Sequence, residues 1–313
     1  MAALFMATAA FGQKTIDKTF ENIKFIRVEI ASGNAIVKKS DSDKIKVTVE
    51  YTYDDDEYAP DFRVSGSNLR IREEFERGRR RNWNNRGRSE WTLEIPDGLE
   101  LDLNTGSGNV DIEGVNLLMR ASSGSGNVSL ENTDGDTRVN TGSGNITVYT
   151  AKGELSANTG SGTIRVRDLE GDSDLNTGSG NIRASGVSGS ARYNTGSGNI
   201  DADNITLTDH SRFSTGSGNV TVKLGAELNF DLDLSTGSGN ATLDFNGQKI
   251  EGKFFMEASS KNSISAPFSF DEEYESDGGY GRRNRRWVKE ATIGSKDIRI
   301  DISSGSGSAR VRN

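Results

Sequence analysis

The chain has 313 residues, of which 32% are hydrophobic and 37 are glycine, and its formal net charge is -8 at pH 7. The negative charge opposes a general affinity for nucleic acid or anionic membrane, and the low hydrophobic fraction opposes an ordinary compact core. The three prolines and the missing helical periodicity favour an all-β protein. Cysteine is absent and His210 is the only histidine, which excludes disulfides and thiolate chemistry and leaves little scope for histidine-based metal sites.

The N-terminal stretch MAALFMATAAFGQKT is an apolar run that ends in small residues. It is typical of the apolar and cleavage regions of a secretory signal, although the charged start is missing. We interpret residues 1–12 as the remnant of such a signal, whose start codon is assigned too late and whose cleavage exposes Gln13; an apolar first strand or a disordered tail is the alternative. No later segment approaches the ~20 apolar residues of a transmembrane helix, so no membrane span is expected.

The rest of the chain, 13–313, is predicted to form one domain, of which 13–100 are N-terminal cap rungs with an insertion. The stretch FIRVEIASGNAIV (25–37) is a degenerate copy of the repeat described below. Residues 38–100 break the period: they contain the strand-like stretches KIKVTVEY and NLRIREEF, the acidic run Asp54 to Glu57 and the loop RGRRRNWNNRGR at 77–88.

Residues 101–250 carry a regular repeat of the form TGSGN followed by an apolar alternation. The first glycines of the copies are spaced by 18 residues five times and then by 20 and 21; they are Gly106, Gly124, Gly142, Gly160, Gly178, Gly196, Gly216 and Gly237. A fixed short period predicts a solenoid in which each repeat is one rung that must stack on its neighbours. We therefore predict a parallel β-solenoid of about nine or ten rungs.

Apolar residues alternate on both sides of each TGSGN, which predicts two main strands per rung of about 18 residues, with one face inward. The predicted inward residues before the corner are Leu103, Ala121, Val139, Ala157, Leu175, Tyr193, Phe213 and Leu234. After the corner they include Val110, Val128, Ile146, Ile164, Ile182, Ile200, Val220 and Ala241.

TGSGN itself looks like a flexible linker but is predicted to be a rigid corner. Its glycines turn the chain where a side chain would clash or where φ must be positive, and its threonine and asparagine stack on their own copies. One expected asparagine ladder is Asn109, Asn127, Asn145, Asn181, Asn199, Asn219 and Asn240, and another is Asn104, Asn140, Asn158, Asn176 and Asn194.

Residues 251–296 form the second insertion, with the acidic stretch DEEYESD (271–277) followed by GGYGRRNRRW (278–287). Residues 297–313, DIRIDISSGSGSARV and the two that follow, again match the repeat and are expected to be the C-terminal cap rung. Atypical outer rungs are expected because a bare terminal strand would recruit another molecule.

The basic residues beside tryptophan or tyrosine in the two insertions are the candidate ligand contacts. They are Arg79, Arg80, Arg81, Trp83, Arg86 and Arg88 in the first loop, and Arg282, Arg283, Arg285, Arg286 and Trp287 in the second. Arginine with aromatic rings can bind phosphates, sulfates or uronates. The alternatives are solvated hairpin tips, or basic tips that each pair with the acidic run of the other insertion.

Catalytic motifs are missing from the sequence. The glycine corners lack the Gly-Lys-Ser/Thr of a phosphate-binding loop, and they end in asparagine where calcium-binding solenoids carry aspartate. Acidic residues at the opposite corner (Asp134, Asp136, Glu154, Glu170, Asp172) fit solvated turns better than a cation site. We expect no metal, no cofactor and no catalytic residue; a polysaccharide-active enzyme on a β-helix is the weakest alternative.

The stretch EIPDGLELDLNTGSGNVDIEG (94–114) and the repeated TGSGN[IV] resemble the bacterial putative-adhesin family of β-solenoid proteins, a domain of unknown function. The resemblance covers roughly 25–313, with both insertions as departures. It implies a secreted, periplasmic or outer-surface location and a role in adhesion or surface organisation, and it brings no catalytic residues.

From these observations we expect a non-enzymatic, exported, adhesin-like or scaffold protein that presents loops to a surface glycan or an envelope protein. The competing hypothesis is a polyanion- or carbohydrate-binding module that acts through the arginine and tryptophan loops. Nucleic acid is not an expected partner, because the net charge opposes it and no recognition motif is present.

Overall fold

The computed structural model describes residues 12–54, 57–75, 87–276 and 285–313. Within these ranges the chain consists of β-strands, turns and one short 3-10 helix at Lys261–Ser263. The strands form two long sheets, of 14 strands (sheet A) and 15 strands (sheet B). This confirms the prediction of an all-β solenoid.

The strand boundaries are as follows, in chain order. The N-terminal part contains β1 (Lys14–Phe20), β2 (Phe25–Ile30), β3 (Asn34–Lys39), β4 (Ile45–Tyr51), β5 (Tyr58–Ser65), β6 (Asn68–Phe75) and β7 (Ser89–Ile95). The regular part contains β8 (Glu100–Thr105), β9 (Val110–Glu113), β10 (Leu118–Ser123), β11 (Val128–Asp134), β12 (Thr137–Thr141), β13 (Ile146–Lys152), β14 (Leu155–Thr159), β15 (Ile164–Glu170), β16 (Ser173–Thr177), β17 (Ile182–Gly189), β18 (Ala191–Thr195), β19 (Ile200–Leu207), β20 (Ser211–Thr215), β21 (Val220–Leu224), β22 (Leu232–Thr236) and β23 (Ala241–Asp244). The C-terminal part contains β24 (Gly252–Ala258), β25 (Ile264–Ser265), β26 (Glu272–Ser276), β27 (Arg286–Ile293), β28 (Arg299–Ser304) and β29 (Ala309–Arg312).

Successive rungs pair in parallel, with residues one period apart directly opposite each other. On sheet A, Ile146 pairs with Ile164, which in turn pairs with Ile182. On sheet B, Ala157 pairs with Leu175 in the same way. The register is therefore the sequence period itself, because side chains of one column face the same side only when whole periods are stacked.

The core lies between the two sheets and contains the inward residues that the alternation predicts. All of the predicted inward residues named above are buried. Tyr193 and Phe213 fill adjacent rungs with their rings edge to face, 5.0 Å between centroids, and the Tyr193 hydroxyl lies 3.1 Å from Ser173 Oγ. Burial raises the pKa of Tyr193 to about 12, with the Ser173 hydrogen bond acting in the opposite direction.

The sheet A strands bend once per rung, a feature that the two-strand reading of the sequence did not include. At the bend the backbone has positive φ at Asn132, Thr150, Asp168, Gly186 and Asn204, each 18 residues after the last. Two successive side chains point outward before the next one returns to the core, as in the burial pattern of β13. The bend turns the strand toward the opposite corner.

The N-terminal insertion closes one end of the solenoid. Strand β6 pairs in parallel with β2 and β7 pairs in parallel with β3, so β6 and β7 form a rung outside the one made by β2 and β3. Strand β5 then pairs antiparallel with β6, and β4 and β1 continue sheet A beyond β7 in antiparallel pairing. The antiparallel strands cover the parallel edge.

The C-terminal insertion closes the other end in a related way. Strands β28 and β29 stack on β22 and β23, and β24 and β25 stack on them from outside. Residues 297–313 are therefore the second-to-last rung, and the insertion provides the outermost one. Strands β27 and β26 extend sheet B in antiparallel pairing.

Across the described ranges the solenoid has twelve rungs, each made of one strand from sheet A and one from sheet B, from β6 and β7 to β24 and β25. This is more than the nine or ten rungs expected. The additional rungs come from the insertions, whose strands lack the TGSGN signature. With a spacing of about 4.8 Å per rung, the outermost rungs lie roughly 50 Å apart.

Candidate functional site

The TGSGN corner is held by a buried threonine hydroxyl. Thr159 Oγ1 donates to the carbonyl oxygen of Gly144 in the preceding rung at 2.8 Å and accepts from the Gly162 N–H of its own rung at 3.1 Å. The same pair of bonds recurs along the corner from Thr105 to Ser304. The hydroxyl thus joins each rung to its neighbour at a point where neither backbone group meets water.

The corner glycines are required by close backbone approach. A Cβ added to Gly144 would overlap the carbonyl oxygen of Gly126, one rung away. At the opposite corner a positive φ adds to the close approach: Gly135 and Gly153 have φ values of +101° and +102°, and a Cβ on either would overlap backbone of the preceding rung. Steric contact therefore favours glycine at both corners, and positive φ favours it at the second.

The first predicted asparagine ladder is present, but in its main bond a backbone N–H donates to the side-chain oxygen of the preceding rung. The Asn127 N–H donates to Asn109 Oδ1 at 2.9 Å and the Asn145 N–H to Asn127 Oδ1 at 2.8 Å. Thr163 occupies the next position of the column. Its backbone N–H still donates to Asn145 Oδ1 at 2.9 Å, but it has no amide side chain to continue the ladder. The series resumes where the Asn199 N–H donates to Asn181 Oδ1 at 2.8 Å.

The second predicted ladder forms in the middle of sheet B. Asn158 Nδ2 donates to Asn140 Oδ1 and Asn176 Nδ2 donates to Asn158 Oδ1, both at 3.2 Å. Asn104, at the start of the same column, donates instead to Asp102 Oδ1 at 2.8 Å. The hydrogen bonds and close backbone contacts of the corner thus explain, on structural grounds, why threonine, glycine and asparagine are repeated.

Glu73 continues the corner column into the first rung, and sequence reasoning missed it. Its carboxylate is buried and accepts from the Ala31 N–H at 2.6 Å, the Ser32 N–H at 3.2 Å and the Ser89 hydroxyl at 2.6 Å. It satisfies the corner of the neighbouring rung as threonine does elsewhere. No repeated motif marks the position, so only the stacking of β6 on β2 identifies it.

Most of the predicted ligand contacts lie outside the described residues. These are Arg79, Arg80, Arg81, Trp83, Arg86, Arg282 and Arg283. Of the others, Arg88 lies at the base of the first loop, where its backbone N–H donates to Thr52 Oγ1 at 3.0 Å.

The described residues of the second loop make internal contacts. Arg285 Nη1 lies 3.0 Å from Glu275, and Arg286 Nε lies 2.6 Å from Glu257. Trp287 is half-buried, and the Lys261 ammonium lies 5.6 Å from its ring centroid. The contacts of this loop base thus stabilise the C-terminal cap.

The two insertions lie at opposite ends of the solenoid. The first loop joins β6 to β7 in the first rung, and the second joins β26 to β27 beyond the last. The described bases of the two loops are therefore roughly 50 Å apart. The tips lie outside the described residues, so the pairing of each basic tip with the acidic run of the other insertion stays an alternative.

Four aromatic rings form a cluster at the base of the first loop. Tyr53 lies 4.8 Å from Tyr58 and 5.2 Å from Phe75, and Tyr51 lies 4.7 Å from Tyr58, measured between ring centroids. Burial, with a smaller contribution from the Glu73 carboxylate, raises the pKa of Tyr58. The cluster packs the connection between β4 and β5 against Phe75, the last described residue before the loop.

The cavities of the described part are shallow grooves on the outer faces. One of about 270 Å³ on sheet B contains Phe25, Leu118 and Arg120 beside Glu100 and Glu154. Another of about 540 Å³, at the C-terminal end, contains Asp271, Glu290 and Arg299. Both mix acidic, basic and apolar groups.

A metal-binding group of three or more acidic, histidine or cysteine side chains does not occur among the described residues. His210 is half exposed, and its Nε2 lies 3.2 Å from Asp233 Oδ2, which also pairs with Arg212. None of the helical segments in the described ranges has the length and apolar character needed to cross a membrane.

Comparison with known proteins identifies one protein family and several solved structures. The family described as Toastrack DUF4097 matches residues 23–269. A putative lipid binding protein from Parabacteroides distasonis ATCC 8503 is 14% identical and covers 97% of both chains, with a TM-score of 0.44. A putative adhesin from the same organism is 15% identical and covers 74% of this chain and 90% of its own, with a TM-score of 0.37.

A further solved structure, a putative adhesin from Bacteroides fragilis NCTC 9343, is 13% identical, with a TM-score of 0.33. It covers 96% of this chain and 97% of its own. No curated protein sequence matches the chain.

Proposed function

The chain belongs to the Toastrack DUF4097 family, a putative-adhesin domain of unknown function, and from this premise we propose that it is an exported, non-enzymatic scaffold of the cell envelope. In this role it presents its two end loops to a surface glycan or an envelope protein. The protein acts in the periplasm or on the outer surface, after removal of residues 1–12.

The placement of the two insertions carries this proposal. The strands of both insertions lie at the ends of a regular stack, so that the described bases of the two loops are roughly 50 Å apart on a stiff body. The body is stiff because hydroxyl bonds join successive rungs at the corner from Thr105 to Ser304, and asparagine amides add further bonds between many of them. Two contact points at a fixed distance suit a protein that bridges or spaces other components.

The repeated residues also support a structural role. Threonine, glycine and asparagine of TGSGN are used in bonds between rungs, as at Thr177 and Asn199, and this explains their repetition without any reaction. Outside the corner, many acidic side chains are paired with a basic neighbour, such as Glu29 with Arg70 and Arg72. A scaffold needs nothing more from these groups.

The location can be tested in a bacterial host with the protein carrying a complete secretory signal. We expect the mature chain to begin at Gln13, to be released by osmotic shock or digested by external protease, and to be missing from the cytosol. A chain that stays in the cytosol with residues 1–12 attached would contradict export.

The role of the loops can be tested on the mature chain with residues 77–86 and 278–284 replaced by Gly-Ser. Binding to an array of glycans and envelope polymers would be compared at about 0.05 M and about 0.5 M salt. We expect the variant to fold normally, because the described strands on either side of these segments pair without them, and to lose binding partners of the wild type. Identical binding profiles would contradict loop presentation.

A matched control separates charge from geometry in the first loop. Replacing Arg79, Arg80 and Arg81 by lysine keeps the charge but removes the planar, two-pronged donor. If the loops form a polyanion site, salt-sensitive binding is weakened by this change. If the loops instead contact a protein through other groups, the binding is kept.

A further inference from the structure

The outer face of sheet A carries a compact group of arginines in the middle of the solenoid. On three successive rungs the outward positions form two columns, which we call the sheet A patch: Thr147, Arg165 and Arg183 in one column, and Tyr149, Arg167 and Ser185 in the other. The register places Arg165 directly opposite Arg183, at a strand spacing of about 4.8 Å. All three arginines are exposed.

These arginines make no ion pair with an acidic residue within the described ranges. Several other outward arginines are paired: Arg27 lies 3.2 Å from Asp102, and Arg212 Nη2 lies 2.7 Å from Asp233. Arg120 and Arg138 of sheet B also face each other without an ion pair, but they line a groove with acidic side chains such as Glu100 and Glu154. In the patch, Arg167 instead lies over the Tyr149 ring, 5.5 Å from its centroid. In a protein of net charge -8, the sheet A patch is a local basic surface.

The arrangement costs stability in the free protein. Like charges directly opposite on neighbouring strands, as at Arg165 and Arg183, destabilise a sheet. The equivalent outward positions of other rungs hold serine, threonine or aspartate, as at Ser129, Thr221 and Asp201, of which Asp201 faces Arg183. The fold therefore does not require arginine at Arg165 or Arg183. Departures from local consistency of this kind are expected at functional sites.

Acidic residues limit the patch on three sides, and the TGSGN corner forms the fourth. Glu131 lies beside Tyr149 on the preceding rung, Asp201 and Asp203 occupy the following rung, and Asp168 stands at the bend. The basic area is thus only three rungs long, about 10 Å between its outer strands. A nucleic acid duplex or an anionic membrane would press against these carboxylates, whereas a single narrow chain would not.

Two further features distinguish between narrow anionic chains. The ring of Tyr149 is already covered by the Arg167 guanidinium, so the patch offers no free aromatic face for stacking the bases of a single-stranded nucleic acid. Strands β13, β15 and β17 are paired on both edges, so an acidic peptide would find no edge for main-chain pairing. Planar guanidinium donors on a flat face suit carboxylate or sulfate groups.

We propose that the sheet A patch binds an extended anionic polysaccharide, with the guanidinium groups of Arg165, Arg167 and Arg183 donating to its carboxylates or sulfates. This contact lies on the side of the solenoid, so it goes beyond the proposed presentation of end loops and does not depend on them.

The test uses the mature chain from Gln13 and four immobilised probes: dextran sulfate, polygalacturonate, uncharged dextran and a single-stranded oligothymidylate. The test variant combines Arg165→Ser, Arg167→Ser and Arg183→Ser. Its matched control combines Arg192→Ser, Arg310→Ser and Arg312→Ser, which removes the same charge from exposed or half-exposed positions outside the patch. Circular dichroism and thermal melting check that both variants fold.

We expect the wild type to bind dextran sulfate or polygalacturonate and not dextran, with affinity that falls with salt. The test variant should bind on the order of tenfold more weakly or worse, and the control should stay within about threefold of the wild type. Equal losses in both variants, no binding by the wild type, or tighter binding of the oligothymidylate would each overturn the proposal. The loop-replaced variant should bind like the wild type here, so a failure of loop presentation remains distinguishable.

Discussion

At the scale of the single residue, the corner threonine links successive rungs through its side chain. Its hydroxyl is buried and makes one donor and one acceptor bond, to a carbonyl of the preceding rung and an N–H of its own. Serine takes the same place at Ser123 and Ser304, and Glu73 takes it in the first rung. From Thr105 to Ser304 the position always holds a hydroxyl, whereas the outer rungs place Glu73, Ile30 and Ala258 in the same column.

Thr159→Val removes this oxygen while keeping the shape of the side chain. We expect a loss of about 2–3 kcal/mol in the free energy of unfolding, because the Gly144 carbonyl and the Gly162 N–H lose their buried partner. Chemical denaturation of the purified protein measures the loss. The control Thr159→Ser keeps the hydroxyl, and a similar loss in both variants would contradict the hydrogen-bond explanation.

A second prediction at this scale concerns pH. Partial burial raises the pKa of Asp233, but hydrogen bonds and charge from Arg212 and His210 outweigh it, and the pKa is lowered from its ordinary value of 3.8. A carboxyl with a lowered folded-state pKa stabilises the fold above the unfolded-state pKa, and this contribution is lost as pH falls through the folded-state value. Asp233→Asn should therefore be less stable than the wild type near neutral pH, with a difference that shrinks below about pH 4.

Unfolding at a series of pH values measures this difference. Asp201→Asn, which removes an exposed carboxylate without an ion pair in the described ranges, is the control and should leave the shape of the pH profile unchanged. A constant offset between wild type and Asp233→Asn down to the lowest pH would show that charge is not the cause.

At the scale of the element, the bend in the sheet A strands shapes each rung. The bend column holds asparagine, aspartate or glycine in four rungs, which suits positive φ, but Thr150 occupies it with φ of 53°. A β-branched residue is disfavoured there because its branched Cβ crowds the backbone. The strand accepts this cost because the rungs above and below impose the bend.

Thr150→Asn should relieve that cost. We expect a gain of about 1 kcal/mol in the free energy of unfolding, because asparagine populates the left-handed region more readily than threonine. The control Thr221→Asn, at an outward extended position of β21, should give no gain because asparagine is a poor strand former. A destabilised Thr150→Asn would mean that the threonine side chain contributes through packing.

At the scale of the whole molecule, the insertions act as end caps. A parallel stack ends in strands with unpaired donors and acceptors, and such an edge recruits other chains. The segment 251–296 covers the last regular edge with β24 and β25 and then extends sheet B with antiparallel β27 and β26. The cap continues the stack, so its removal would expose a regular rung.

Deletion of 251–296 tests this role. Residues 245–250 and 297–298 would then join β23 to β28, a linker similar to 225–231 between β21 and β22, so the solenoid should still fold. We expect concentration-dependent self-association through the bare edges of β28 and β29, measured by light scattering after size exclusion. A variant that folds and has the same association state as the wild type would contradict capping; deletion of 278–284 alone is the control.

The periodic part of this protein could be predicted from the sequence in detail. Each rung repeats the same local chemistry, and its neighbour in space lies one period away, so a regular spacing carries long-range information that an ordinary fold does not reveal. The rung length, the inward residues and the corner column followed from that spacing, and the structure confirms them.

The placement of strands and side chains that do not follow the repeat was decided only by the tertiary structure. Strands without the motif pair on either side of a rung with similar geometry, so the positions of β6 outside β2 and of β24 outside β28 could not be predicted. The bend at Thr150 and the corner role of Glu73 depend on the rungs beside them. Outward residues such as Arg165 and Arg183 are free to vary along the chain, and they form one surface only because the stack places them side by side.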